Sequence, residues 1–166
     1  MLIVRGVTGH AATGNAVLEL SFERRRQARL RTHVMDGEEI GLFLDRGTVL
    51  RDGDRLLADD GRVVLVRAAV EKLLEVKGHA ARDLARAAYH LGNRHSAVEI
   101  GADSLRCPAD AVLAALLRTL GFIVREVDAV FEPEQGAYGG NAHAHSYAHH
   151  SGVIHDFVHR GASHDA

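Results

Sequence analysis

The segment Tyr89-His90-Leu91-Gly92-Asn93-Arg94-His95 sets two imidazoles beside a polar turn. Neutral imidazole is the commonest protein metal ligand and takes nickel, copper, zinc and cobalt. A second concentration of the same chemistry lies at the far end of the chain. Of the protein's twelve histidines, seven (His143, His145, His149, His150, His155, His159 and His164) fall after Ala142. His145 and His149 are spaced i,i+4, as are His155 and His159. A His-rich tract of this composition is a metal-binding signal, offering several exchanging sites rather than one cage. We read His95 as presenting an imidazole to a metal ion, and the tail, with His143-Ala144-His145 and the pair His149-His150, as a mobile set of further imidazoles. His90, Asn93 and Arg94 support the turn. A lone histidine at a helix end also serves as a partner for the helix dipole, so the local pattern by itself does not decide between the two roles.

Catalytic chemistry has little to stand on. A catalytic metal centre wants three protein ligands on rigid elements and one open position. The ordered part of the chain offers His90, His95 and, at a distance, His79, which are too few fixed ligands for such a centre. HExxH, GxSxG, P-loop and CxxC patterns are absent. We therefore expect no catalytic residues and no enzyme. Cys107, the only cysteine, excludes an internal disulfide framework and reads as a small structural residue near the second helix.

The elements that must position His95 follow from periodicity. Leu84, Ala87, Ala88 and Leu91 form one face of a helix over residues 82–91, and Gly92 reads as its left-handed terminating residue. Before it, residues 70–76 read as a strand. After it come a strand at 97–100, a turn at Gly101-Ala102-Asp103 and a short strand at 104–106. Pro108 fits the first position of a second helix, with Val112, Leu113, Leu116, Leu117 and Leu120 as its apolar stripe and Gly121 at its end. A last strand opens at Phe122-Ile123-Val124. The order is β-α-β-β-α-β, a ferredoxin-like arrangement with an antiparallel sheet and both helices on one face.

Residues 1–68 read as a small all-β unit. Strands are expected at Leu2-Ile3-Val4, from Val17 to Phe22, around Leu30, Thr32 and Val34, around Ile40, Leu42 and Leu44, and at 63–66. Asp-Gly and related pairs at 36–37, 45–47, 52–54 and 59–61 supply the turns. The basic run from Glu23 to Arg31 reads as a solvated edge or hairpin tip, because no aromatic residues interleave as a nucleic-acid surface would need. The expected organisation is thus a two-domain chain with a tail: an all-β domain at 1–68, a ferredoxin-like domain at 69–136, and a disordered His-rich tail at 137–166.

Composition limits the partners. A formal charge of −2 over 166 residues provides no global field for nucleic acid or an anionic membrane. No apolar run reaches the length of a membrane span, and the N-terminus lacks a signal peptide's pattern, which points to the cytoplasm.

The seven-residue segment ending at His95 resembles the signature of the UreE family of urease accessory nickel chaperones. Phe131-Glu132-Pro133-Glu134-Gln135-Gly136-Ala137-Tyr138 followed by a His-rich tail is similar to the same family, and so, more weakly, is Asp110 to Phe122. The resemblance spans the whole chain, with the N-terminal third matching in pattern more than in motif. It implies a homodimer whose N-terminal β domain is a peptide-binding-like module. It implies Ni(II) as cargo, with Zn(II) or Cu(II) binding in vitro. It implies that His95, the second histidine of the signature, is an interfacial ligand brought together with its copy by the twofold axis, and that tail histidines, best matched by His143 and His145 and then by His149 and His150, complete the coordination. Its partners would be the urease accessory GTPase and apo-urease. One departure is visible. Family members often carry Asp-His-Val-Leu in the second helix, where this chain has Asp110-Ala111-Val112-Leu113, so an auxiliary site on that histidine is absent.

A competing reading makes the chain a scaffold of the urease maturation complex whose tail merely buffers metal. A metallohydrolase is disfavoured because its fixed ligands are too few.

Overall fold

In the computed structural model, residues 1–8 and 16–135 are described. The first unit is built from β1 (Leu2–Thr8), β2 (Ala16–Leu20), a one-turn helix α1 (Phe22–Arg25), β3 (Arg29–His33), β4 (Glu39–Phe43), β5 (Arg55–Ala58) and β6 (Val63–Ala68). Their sheet runs β2-β6-β5-β1-β4-β3, with β1–β4 and β2–β6 parallel and the other pairs antiparallel. Alternation explains the core. Ile40, Leu42 and Leu44 turn to one side together with Leu2, Val4, Leu18, Leu20, Leu56, Val64 and Val66, all buried. The glycines of the four expected turns, Gly37, Gly47, Gly53 and Gly61, all adopt positive φ.

The second unit follows in the order β7 (Val70–Lys77), α2 (Ala81–Gly92), β8 (Glu99–Ile100), β9 (Leu105–Pro108), α3 (Ala111–Thr119) and β10 (Ile123–Val130). Its sheet is β10-β7-β9-β8, antiparallel throughout. Ala87 and Leu91 of α2 and Leu113, Ala114 and Leu117 of α3 pack on the sheet face that carries Leu74, Val76, Leu105 and Cys107. Each fully buried leucine here contributes on the order of 2 kcal/mol by leaving water. A smaller cluster of Phe22, Leu73 and Phe131 joins the two units, with Val49, Ala97, Val127 and Ala129 against it.

Three expectations change. Pro108 does not start the second helix; it ends β9, and Asp110 is the N-cap, its carboxylate accepting from the Leu113 amide at 2.6 Å. The strand at 17–22 stops at Leu20, and Phe22 opens α1 instead. The basic run is not wholly solvated: Arg25 is fully buried, because its guanidinium finds Glu132 from the end of the other unit. The remaining arginines of that run are exposed or half-buried. Among the described residues no helix is long and apolar enough to cross a membrane.

Candidate metal centre at the end of helix α2

Helix α2 begins where the Asp83 carboxylate accepts from the amides of His79 at 3.0 Å and Ala80 at 3.3 Å. Three turns later its apolar stripe ends at Leu91, which anchors the last turn in the core. The chain then leaves the helix through a Schellman motif. The Ser96 amide donates back to Leu91 O at 3.3 Å, and the His95 amide donates to Gly92 O at 2.9 Å. This pattern requires a left-handed residue between them. That residue is His95, at φ 53°, whereas Gly92 is the last residue of the helix and Asn93 after it is right-handed. The sequence expectation of a left-handed Gly92 is therefore corrected by three residues.

His95 is the only non-glycine residue with positive φ among the described residues. Glycine fills most such helix-terminating positions, since a side chain there costs on the order of 1–2 kcal/mol. A histidine in its place, exposed to solvent, marks a position where the imidazole is kept at the expense of local stability.

The neighbours brace this turn. Arg94 donates from Nη1 to His90 O at 3.1 Å, satisfying a terminal carbonyl. The His90 ring is half-buried and meets Tyr89 edge-on, centroids 5.4 Å apart, so it packs rather than projects. Asn93 donates its amide to Tyr89 O at 3.0 Å. His79 sits at the opposite end of α2.

The surface beside the turn is apolar and uncovered. Arg94, Ser96, Pro108, Asp110, Val112, Leu113 and Leu116 line a cavity there. Val112 is 79% exposed, Tyr89 66% and Ile100 59%. Cys107 contributes nothing as a ligand. It is buried, and burial pushes its thiol up to about 11, with the Asp110 charge adding to the shift, so a thiolate is disfavoured. Among the described residues no group of three His, Cys, Asp or Glu side chains is gathered to hold a metal. His143, His145, His149 and His150 lie outside the described residues.

Residues 7–69 match the model of the UreE urease accessory protein N-terminal domain, and residues 71–159 match that of its C-terminal domain. The chain belongs to the UreE family. It is 50% identical over 151 residues to the urease accessory protein UreE of Ectopseudomonas mendocina (strain ymp), covering 90% of this chain and 89% of the relative. It is 53% identical over 148 residues to UreE of Azotobacter vinelandii, covering 89% of each. UreE of Pseudomonas savastanoi pv. phaseolicola is 48% identical over 149 residues, again covering 89% of each. As a UreE-family chain this is an accessory protein of urease rather than a catalyst.

One functional contact escapes the sequence. The stretch from Phe131 to Tyr138 carries only a resemblance when read as sequence. In space, Glu132 gathers donors from Arg25, Arg51 and the Asp52 amide. The available signal was a phenylalanine followed by a carboxylate, but the partners of Glu132 lie 80 to 107 residues earlier.

Proposed function

We propose that this protein carries Ni(II) and donates it during urease active-site assembly, holding the ion between the His95 imidazoles of two copies. The observation that carries the reading is the exposed imidazole on a left-handed backbone that glycine would fill more cheaply. One imidazole is not a site, but a twofold contact duplicates every residue near its axis, so a single His95 per chain becomes two ligands. The uncovered apolar surface around Val112, Leu116 and Tyr89 is a face that a second copy would bury.

Tail histidines, best matched by His143 and His145, would complete the coordination, with His149 and His150 as reserves. Two fixed donors and several tethered ones hold an ion firmly yet release it by exchange, which a metal donor needs. The urease accessory GTPase and apo-urease would receive it in the cytoplasm. In this reading the second unit is a ferredoxin-like metal-binding and dimerisation domain spanning 69–136, the first a partner-binding domain spanning 1–68, and residues 137–166 the metal-gathering tail.

Isothermal titration with Ni(II) tests it. The wild-type chain should take about one tightly bound ion per dimer, and His95→Ala should lose that event. Tight binding unchanged in His95→Ala would leave the scaffold reading instead.

A further inference from the structure

We propose that Arg25 and Glu132 are positioning residues: their ion pair locks segment 131–134 across the junction of the two units, so that the chain departs for the tail beside the His95 turn. The inference rests on the nickel reading above for its purpose, though the lock itself is a property of the fold.

The contacts converge on four residues. Arg25 is fully buried. Its Nη1 donates to Glu132 Oε1 at 2.5 Å and to Leu50 O at 3.1 Å, and its Nη2 donates to Phe131 O. Arg51 Nη1 donates to Glu132 Oε2 at 2.9 Å and to Pro133 O at 3.0 Å. The Asp52 amide donates to Glu132 Oε1 at 3.1 Å. Three donor groups of the first unit therefore grip one carboxylate of the second. Beside them Phe131 is buried edge-on against Phe22, centroids 5.4 Å apart.

The other side of the same segment is held by residues 98 and 99, just after the His95 turn. The Glu132 amide donates to Glu99 Oε2 at 2.8 Å, and the Glu134 amide donates to Val98 O at 2.8 Å. Ala97 packs against the Phe22–Leu73–Phe131 cluster. Val98 is three residues from His95, no more than about 11 Å of extended chain. His143 follows Glu134 by nine residues, which span at most about 32 Å. Pinning Glu134 thus starts the tail within reach of the His95 turn and shortens the tether on which its imidazoles are held. A charge buried with its partner removed is costly, so the lock resists loosening.

The test uses the full chain with Glu132→Gln, which keeps an acceptor oxygen but loses the charge, and Arg25→Met as the stronger variant. Amide hydrogen exchange is measured first, without metal. The lock predicts exchange about tenfold faster or more at Ser96, Glu132 and Glu134, while Ile40, Leu42 and Val64 in the first core hold their protection. Ni(II) titration follows. Glu132→Gln should weaken the tight event by about 10- to 100-fold, as loss of a ligand-orienting contact does. In a His95→Ala background the same substitution should change Ni(II) affinity by no more than about twofold. A more than twofold loss of the residual binding in the His95→Ala background would mean that the substitution acts on the chain at large and not through the His95 site, and that result overturns the proposal. Unchanged exchange at Glu134, or faster exchange with undiminished nickel affinity, overturns it too. If the wild-type chain shows no His95-dependent binding, the nickel reading fails; the metal-free exchange result still decides the lock.

Discussion

Replacing His95 by glycine should make the protein more stable while destroying its metal site. At φ 53° an L residue bears a steric cost of on the order of 1–2 kcal/mol that glycine escapes. Glycine also enlarges the freedom of the unfolded chain, which returns about 0.4–1 kcal/mol of that gain. The net expectation is stabilisation by about 0.5–1 kcal/mol. The His95 ring is exposed, so little packing is lost to set against it. His95→Ala is the control: it removes the same imidazole but keeps a Cβ in the left-handed conformation, and should lie within about 0.5 kcal/mol of wild type. Urea unfolding of metal-free protein, followed by far-ultraviolet circular dichroism, reads the difference. With a slope of about 2 kcal/mol/M, His95→Gly should raise the midpoint by about 0.3–0.5 M. A midpoint equal to that of His95→Ala, or below wild type, would refute the claim that the turn is strained for the sake of its side chain.

Cys107 should resist thiol reagents at pH 8 in the folded protein, since burial holds its thiol up to about 11, and react freely once urea unfolds it; ready labelling of the native chain would contradict its place beneath the helices. The Arg62 hydrogen bonds hold the Glu38 carboxyl below its ordinary value of 4.5, so the pair favours the folded state above that pH and loses its effect as pH falls through the lower folded value. Arg62→Ala should accordingly shift acid unfolding of the first unit to higher pH, a change visible by circular dichroism between about pH 5 and 3; an unaltered acid midpoint would count against the pair. Nickel should be released by acid, because an imidazole must be neutral to ligate, with affinity falling below about pH 6.5; titrations independent of pH from 5 to 7.5 would contradict histidine ligation.

Local signals told most of the fold. Alternation at Ile40, Leu42 and Leu44 and the stripe Leu84, Ala87, Ala88 and Leu91 each follow from one element burying one face, which a short window reveals. The start of α3 was misplaced because Pro108 alone was read as its start signal. The carboxylate won by accepting the Leu113 amide, while Pro108 could close β9, pairing opposite Leu73. Arg25 could not be placed from its neighbours, since the group that makes its burial tolerable is 107 residues away. The left-handed turn was misassigned for a different reason. Glycine is the ordinary marker of that conformation, yet the helical hydrogen bonds run on past Gly92 and leave the position to His95. Sequence thus pointed to His95 as a candidate, and only the backbone shows that its position is unusual.

The central claim is that one imidazole per chain becomes two by symmetry. A crystal structure of the full chain soaked with Ni(II), with anomalous data at the nickel edge, tests it most directly. The account predicts the strongest peak on a twofold axis, within bonding distance of both copies of His95. A strongest peak held by other residues, with the two His95 rings apart or turned away from each other, would contradict it.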